Sequence, residues 1–363
     1  MPGGTEARVF SNIFAIFCKL ILNRQEGPCK RAEGAIIIRV VASPSGRGQS
    51  CESSTMAHPP EELLTIQDFI RWGASRFNAE GLFFGHGTDN ALDEATGLVL
   101  HTLHLPPDLS AAYRECRLTH PERQAVRDLL DRRIDERKPA AYLTQRAWFA
   151  GLEFYVNEDV LVPRSPLAEL VEASFDPWIE PEGIHRILDL CAGSGCIGIA
   201  CAVHMSKADV DLAELSPAAL EVASANLVRH HLEDRVRTLR SDLFDDLGDR
   251  RYDVIVTNPP YVSTAELATL PEEYRKEPLL GLVGGVTGLD LILRILCNAP
   301  VYLEAEGILV MEVGNTALEL ERRFPDVPFS WIEFDRGGEG VFLMPRAQLV
   351  EFNPLFRQES ARL

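Results

Sequence analysis

The segment Ile187-Leu188-Asp189-Leu190-Cys191-Ala192-Gly193-Ser194-Gly195-Cys196-Ile197-Gly198 constrains the fold of this chain more than any other. An apolar strand runs into a turn with glycines spaced G-x-G-x-x-G, and an apolar helix starts at once. That succession opens a βαβ unit, in which glycine lets the backbone approach a ligand closely. The strand itself covers 184–190, and further strand-like runs occupy 209–213, 236–240, 252–257, 308–313, 331–334 and 341–344, with helical patterning between most of them. The alternation predicts a doubly wound α/β fold, a Rossmann-like sheet of seven mostly parallel strands. Residues 335–340 are too few for a crossover helix, so the last two strands are expected to pair antiparallel.

The G-x-G-x-x-G spacing alone is a weak fingerprint, shared with nicotinamide-binding enzymes. Two acidic neighbours redirect it. Asp189, just before the turn, would oppose a pyrophosphate but suits the ammonium of an amino-acid ligand, and Glu214, ending the next strand, can accept from both ribose hydroxyls. Ser216 and Pro217 then form a good helix start that anchors Glu214. After the third strand, Asp242 is placed to accept from an adenine amino group, with Leu243 packing on the ring. A zwitterionic nucleoside such as S-adenosyl-L-methionine fits this set. A β-branched side chain at Gly195 is expected to fill the ligand's space while leaving the sheet folded.

The most specific signal is Asn258-Pro259-Pro260-Tyr261, where the fourth strand ends. Each proline denies the helical region to its predecessor, so Asn258 and Pro259 are held extended. The Asn258 side-chain oxygen and the Pro259 carbonyl then form an acceptor pair suited to a planar NH2 group. An amide nitrogen is a poor nucleophile because it shares its lone pair with the carbonyl, the resonance behind the roughly 18–20 kcal/mol barrier to peptide rotation. Accepting hydrogen bonds from both N–H groups favours a more tetrahedral nitrogen and aims its lone pair at a sulfonium methyl. Asn258, Pro259, Pro260 and Tyr261 are therefore the catalytic candidates, with Tyr261 packing against the substrate. No general base of matched pKa stands out.

Upstream, Leu63, Ile66, Phe69, Ile70 and Phe77 keep near-helical spacing, and Ala91, Leu92, Ala95, Leu98 and Val99 follow behind Asp89 or Asn90 as cap. A third run begins after Thr119 with Pro121 in its first turn, carries Val126, Leu129, Leu130 and Ile134, and stops at Lys138-Pro139. These predict a helical substrate-recognition domain over 56–147. A β-hairpin linker turning around Asn157-Glu158-Asp159 is expected over 148–165, the sheet domain over 166–350 and a tail over 351–363. Residues 1–55 read as an extension, disordered or translated from a start assigned too far upstream, because Met56 opens the patterned part. A signal peptide is the competing reading there, since Arg8 precedes a broken apolar run.

The chain carries 36 Lys+Arg against 54 Asp+Glu, a net charge of -18. That balance disfavours direct nucleic-acid recognition and favours a basic partner. No run reaches the ~18 apolar residues of a membrane span. The eight cysteines form no C-x-x-C pair, and His101 and His104 lack a third ligand in sequence. No metal is expected, and the thiols read as reduced in a cytoplasmic protein.

On these residues the chain resembles the protein-(glutamine) methyltransferases of the class I Rossmann-like superfamily, from about residue 61 to 344. The likeness is carried by Leu161-Val162-Pro163-Arg164, the loop 189–195, the turn 258–261, Glu277-Pro278 with Gly281, Gly284-Gly285, Gly288-Leu289 and Glu312-Val313-Gly314. It implies S-adenosyl-L-methionine as cofactor, bound by Asp189, Gly193, Gly195, Glu214, Asp242 and Leu243, with Cys191, Ser194 and Asn258 assigned beside them. It also implies that 258–261 clamps the substrate amide, and Arg164, Asn258 and Tyr261 are assigned to substrate binding. Arg71-Trp72, Arg76-Phe77-Asn78, Phe83-Phe84-Gly85-His86-Gly87-Thr88-Asp89-Asn90, Leu105-Pro106-Pro107-Asp108 and Pro163-Arg164-Ser165-Pro166 are similar to the branch that modifies large-subunit ribosomal protein L-three. The implied partner is a basic ribosomal protein. Cys191 in place of a first glycine and Glu214 in place of the commoner Asp depart from broader methyltransferase patterns. The alternatives are a release-factor glutamine methyltransferase, a nucleic-acid adenine amino methyltransferase using the same clamp, and a non-catalytic S-adenosylmethionine sensor, which would need no clamp.

Overall fold

A computed structural model of the chain describes residues 62–362, so the reading of 1–55 lies outside the described residues. Helix α1 (Ile66–Ala79) starts at Thr65, whose hydroxyl accepts from the Asp68 N–H at 3.1 Å while the Asp68 carboxylate accepts from the Thr65 N–H at 2.8 Å. This reciprocal box satisfies two helix-end donors. Helix α2 (Ala91–Thr102) is capped by Asn90, and α3 (His120–Glu136) by Thr119 with Glu122 closing a second box. A short α4 (Ala140–Thr144) follows. Phe69, Ile70, Phe77, Leu98, Val99, Val126 and Leu130 bury against one another, so the apolar faces read from spacing form one core.

Strands β1 (Arg146–Phe149) and β2 (Leu152–Tyr155) make the hairpin. It does not turn at Asn157-Glu158-Asp159 as expected. Ala150 and Gly151 form the two-residue turn with φ of +47° and +76°, matching the left-handed pair that tight hairpins require. The Asn157 side chain instead accepts from the Asp159 N–H at 3.1 Å, a local Asx turn outside any strand.

The remainder runs α5 (Leu167–Glu172), β3 (Arg186–Leu190), α6 (Cys196–His204), β4 (Asp209–Glu214), α7 (Pro217–His230), β5 (Val236–Arg240), β6 (Tyr252–Thr257), α8 (Thr264–Leu267), α9 (Asp290–Tyr302), β7 (Leu303–Glu312), α10 (Ala317–Arg323), β8 (Ser330–Trp331), β9 (Val341–Pro345) and α11 (Arg346–Ser360). The sheet has the order β5-β4-β3-β6-β7-β9-β8. It is parallel from β5 to β7, and β9 pairs antiparallel with both β7 and β8. One apolar layer joins its first face to α5, α6 and α7, and a second joins the other face to α9, α10 and α11. The expected tail is therefore wrong from 351 on. Leu349, Phe352 and Phe356 form a helical stripe, and the buried Leu349 and Phe356 complete the second layer. No described helix is long and apolar enough to cross a membrane.

The chain leaves β3 toward β4 and β5 on one side and returns to β6 and β7 on the other. At such a reversal a crevice opens beyond the carboxyl ends of the strands. Register brings those ends into line: Leu190 pairs with Ala213 and Thr257, Glu214 with Arg240, and Thr257 with Met311. Residues far apart in sequence thus meet along one edge.

Candidate active site

The glycine loop occupies that edge between β3 and α6. Gly193 and Gly195 have φ of +54° and +76°, where a side chain is strained. They face different neighbours. A Cβ on Gly193 would meet nothing within 4 Å, whereas one on Gly195 would lie 3.0 Å from Leu212 Cδ1, 3.2 Å from Ile199 Cδ1 and 3.3 Å from Ala223 Cβ. The expectation that a side chain at Gly195 fills ligand space is thereby corrected: Gly195 permits helix–strand packing, and Gly193 presents the open backbone. Cys191, in the place of a first glycine, also adopts positive φ, +62°. Cys196 and Cys201 are buried, while Cys191 is half-buried.

Asp189 is fully buried, and its Oδ2 accepts from the Gly198 N–H at 2.8 Å. Among the described residues its Oδ1 has no hydrogen-bond partner. Burial pushes its carboxyl up to about 7 despite the Gly198 N–H, and the nearby Glu214 adds to the rise. Glu214 ties the loop to β4, with Oε2 accepting from the Gly193 N–H at 2.9 Å and Oε1 from the Ser216 N–H at 2.8 Å. Ser216 caps α7 as read from sequence, with Pro217 in the first turn. The Ser194 carbonyl accepts from the buried Asn226 amide at 2.9 Å, and the same amide brackets Tyr155 of β2 at 3.0 and 2.8 Å. Sequence reasoning missed Asn226, a polar residue on the apolar face of α7. After β5, Asp242 pairs with Arg294 Nη2 at 2.9 Å with its side chain 45% exposed, and Leu243 is buried with φ of +54°.

Asn258 follows β6 directly, beside the loop. The Thr257 hydroxyl donates to the Leu190 carbonyl at 2.7 Å and locks the two strand ends together. Pro259 and Pro260 are buried and Asn258 is half-buried; no hydrogen bond to the Asn258 side chain from another described residue is found. The turn is roofed by the glycines at 284–288. A Cβ on Gly284 would sit 2.6 Å from the Pro260 carbonyl oxygen, and one on Gly288 would sit 2.2 Å from that of Tyr261. Tyr261 lies under this roof, its hydroxyl donating to Glu312 Oε1 at 3.1 Å and its carbonyl accepting from Thr316 Oγ1 at 2.8 Å.

Arg164, assigned to substrate from sequence, is engaged elsewhere. Its guanidinium grips both oxygens of buried Glu277, the Nη2–Oε2 contact being 2.6 Å, and lies 5.2 Å from the centroid of the Tyr274 ring. The reason is energetic: the Glu277 side chain is fully buried, and a buried charge is tolerated only with a partner of opposite sign. Glu277 also accepts from the Val162 N–H at 3.0 Å, and His86 Nε2 lies 3.4 Å from its Oε2. Burial alone would raise this carboxyl, but Arg164 and His86 hold it at about 2. Arg133, a fully buried cation, donates to Glu94 at 2.7 Å and to the Phe83 carbonyl at 3.0 Å. Glu273 accepts from the Phe83 N–H at 3.1 Å and from Arg137 at 3.2 Å. The helical layer is thus stitched by charge to the segment 272–281, which lies beside the turn 258–261. Arg164, directly after Val160-Leu161-Val162-Pro163, is a charge beside an apolar run, whereas Arg133, Glu273 and Glu277 sit among other charged residues and carry no local signal.

A glycine-turned loop and a proline-held acceptor turn, meeting at the reversal point of a seven-stranded sheet, define a class I methyltransferase. The pattern of the family described as methyltransferase small domain matches residues 178–271. A ribosomal protein uL3 glutamine methyltransferase from Xanthomonas campestris pv. campestris is 52% identical over 80% of this chain and 94% of its own length. Its counterpart from Xylella fastidiosa is 52% identical over 80% of this chain and 93% of its own length. Among solved structures, a methyltransferase from Pyrococcus furiosus aligns with a TM-score of 0.39 at 16% identity, covering 54% of this chain and 89% of that one. The chain belongs to the ribosomal protein uL3 glutamine methyltransferases.

Proposed function

We propose that the chain methylates the side-chain amide nitrogen of a glutamine in ribosomal protein uL3, with S-adenosyl-L-methionine as donor. Membership of the family supports the reaction and the substrate, and the observation that carries the site is the Asn258 side chain, which no hydrogen bond from another described residue claims, beside the glycine loop. The buried Asp189 Oδ1, without a partner among the described residues, is what an ammonium group would satisfy. Glu214 keeps further acceptor capacity for hydroxyls, and Gly193 leaves its backbone open. When bound, the donor supplies a sulfonium methyl as electrophile. Asn258 Oδ1 and the Pro259 carbonyl accept the two amide N–H bonds, which weakens amide resonance and orients the nitrogen lone pair. The net charge of -18 supports a basic protein as partner and disfavours the nucleic-acid reading.

Asn258→Ala tests this. Single-turnover methylation of the ribosomal protein at saturating donor should fall roughly a hundred- to thousand-fold, the loss seen when one transition-state hydrogen bond is deleted. Donor affinity by calorimetry should barely change. Near-normal single-turnover rates in a folded variant would refute the clamp.

A further inference from the structure

We infer that Glu312 is the positioning residue of the acceptor turn, holding Tyr261 through a hydrogen-bonded link that runs Ser165–Glu312–Tyr261; the inference rests on reading 258–261 as the amide clamp. Glu312 ends β7, behind the apolar run Ile308-Leu309-Val310-Met311, and is itself 2% exposed. A carboxylate placed there is costly unless its oxygens are satisfied. Both are satisfied by hydroxyls: Tyr261 donates to Oε1 at 3.1 Å and Ser165 donates to Oε2. Glu277, the buried acid nearby, is held by a guanidinium, but no such ion pair forms at Glu312 among the described residues. An acid partnered only by neutral donors adds less to stability than an ion-paired one, and its fixed geometry stands out.

The link has two ends. Ser165 also accepts from the Leu167 N–H at 3.1 Å, which fixes it to the first turn of α5. Tyr261 is pinned at three points: its hydroxyl by Glu312, its carbonyl by Thr316, and its ring by Gly314, where a Cβ would lie 2.6 Å from Cε2 and 2.9 Å from the hydroxyl oxygen. Pro259 and Pro260 have fixed φ, so the setting of Tyr261 passes directly to the Pro259 carbonyl.

Only the hydroxyl contact can be released by a proton. As a carboxylate, Glu312 accepts from both hydroxyls; once protonated it carries a donor of its own, and one hydroxyl must turn away. Burial pushes Glu312 up to about 7, with Ser165, Tyr261 and Arg164 pulling the other way. The titratable or charged groups facing it are Tyr261 from the turn after β6 and Arg164 from the linker; its ladder partner on β9, Val341, is apolar. The clamp is therefore set when Glu312 is ionised and slackens as pH falls below neutrality.

Single-turnover methylation at saturating donor, followed from acid to alkaline pH, tests this with Glu312→Gln, Glu312→Ala and Asn258→Ala beside the wild type. Wild-type rates should rise through an ionisation near neutrality. Glu312→Gln, which keeps an acceptor for Tyr261 but cannot titrate, should flatten that rise. Glu312→Ala should lose roughly ten- to a hundred-fold above neutrality, the worth of a hydrogen bond to a charged group, with a deficit that narrows toward acid pH and donor affinity unchanged. A purely structural Glu312 would instead lower donor affinity and the folded fraction together and leave the pH profile of the Gln variant like that of the wild type; that result would overturn the inference. Asn258→Ala separates the two claims. If it is impaired while both Glu312 variants behave as wild type, the clamp stands and Glu312 is not its support. If it turns over normally, the clamp reading falls and takes the inference with it.

Discussion

Gly193 and Gly198 lie five residues apart, and the same residue type answers opposite demands. A Cβ on Gly198 would sit 2.2 Å from Leu212 Cδ2 and 2.9 Å from Asp189 Cβ, inside the packing of α6 on the sheet. Gly198→Ala should therefore destabilise the fold by about 1–3 kcal/mol through overpacking, read by urea denaturation. Gly193 has open space around its Cβ position but φ of +54°, so Gly193→Ala should cost only about 1–2 kcal/mol. Its main effect should fall on S-adenosylmethionine affinity measured by calorimetry. Equal losses of affinity in the two variants, after correction for the folded fraction, would contradict this division. The spacing G-x-G-x-x-G marks all three glycines but not which neighbour each avoids, because that depends on Leu212 of β4 and Ala223 of α7.

Between elements, the Arg164–Glu277 pair joins the linker, and the Arg137–Glu273 pair the helical layer, to the segment beside the turn 258–261. Replacing one member of a buried pair leaves an unpaired charge, so Glu277→Gln should cost about 3–5 kcal/mol near neutral pH. The pH dependence has a definite sign. Glu277 is held at about 2 against an ordinary 4.5, so its contribution is complete above the ordinary value and is lost as pH falls toward 2. The stability gap between wild type and Glu277→Gln, measured by chemical denaturation, should shrink over that acid window and stay constant above it. The hairpin teaches a related lesson at this scale. Asn157-Glu158-Asp159 is good turn chemistry, but a local Asx turn and a hairpin turn share that signature, and only the pairing of Trp148 with Glu153 and Phe149 with Leu152 decides between them.

For the molecule as a whole, the net charge of -18 predicts electrostatic steering of a basic substrate. The Debye length falls from about 10 Å at 0.1 M salt to about 3 Å at 1 M, so kcat/KM for the ribosomal protein should fall across that range while kcat holds steady. A salt-independent kcat/KM would remove charge from the account of recognition. The sequence by itself determined the sheet, the three capped helices, the glycine loop and the proline turn, because each rests on local preferences: periodic burial, side-chain caps, left-handed glycines and proline-restricted φ. Only the tertiary structure decided that Arg164 answers to Glu277, that Gly195 faces the core, that residues 346–360 form a helix completing the second apolar layer, and that Glu312 meets Tyr261. Those outcomes join residues far apart in the chain, 51 positions for Tyr261 and Glu312 and 113 for Arg164 and Glu277, and a buried charge or hydroxyl takes its meaning from the partner that desolvation forces upon it, which no local pattern records.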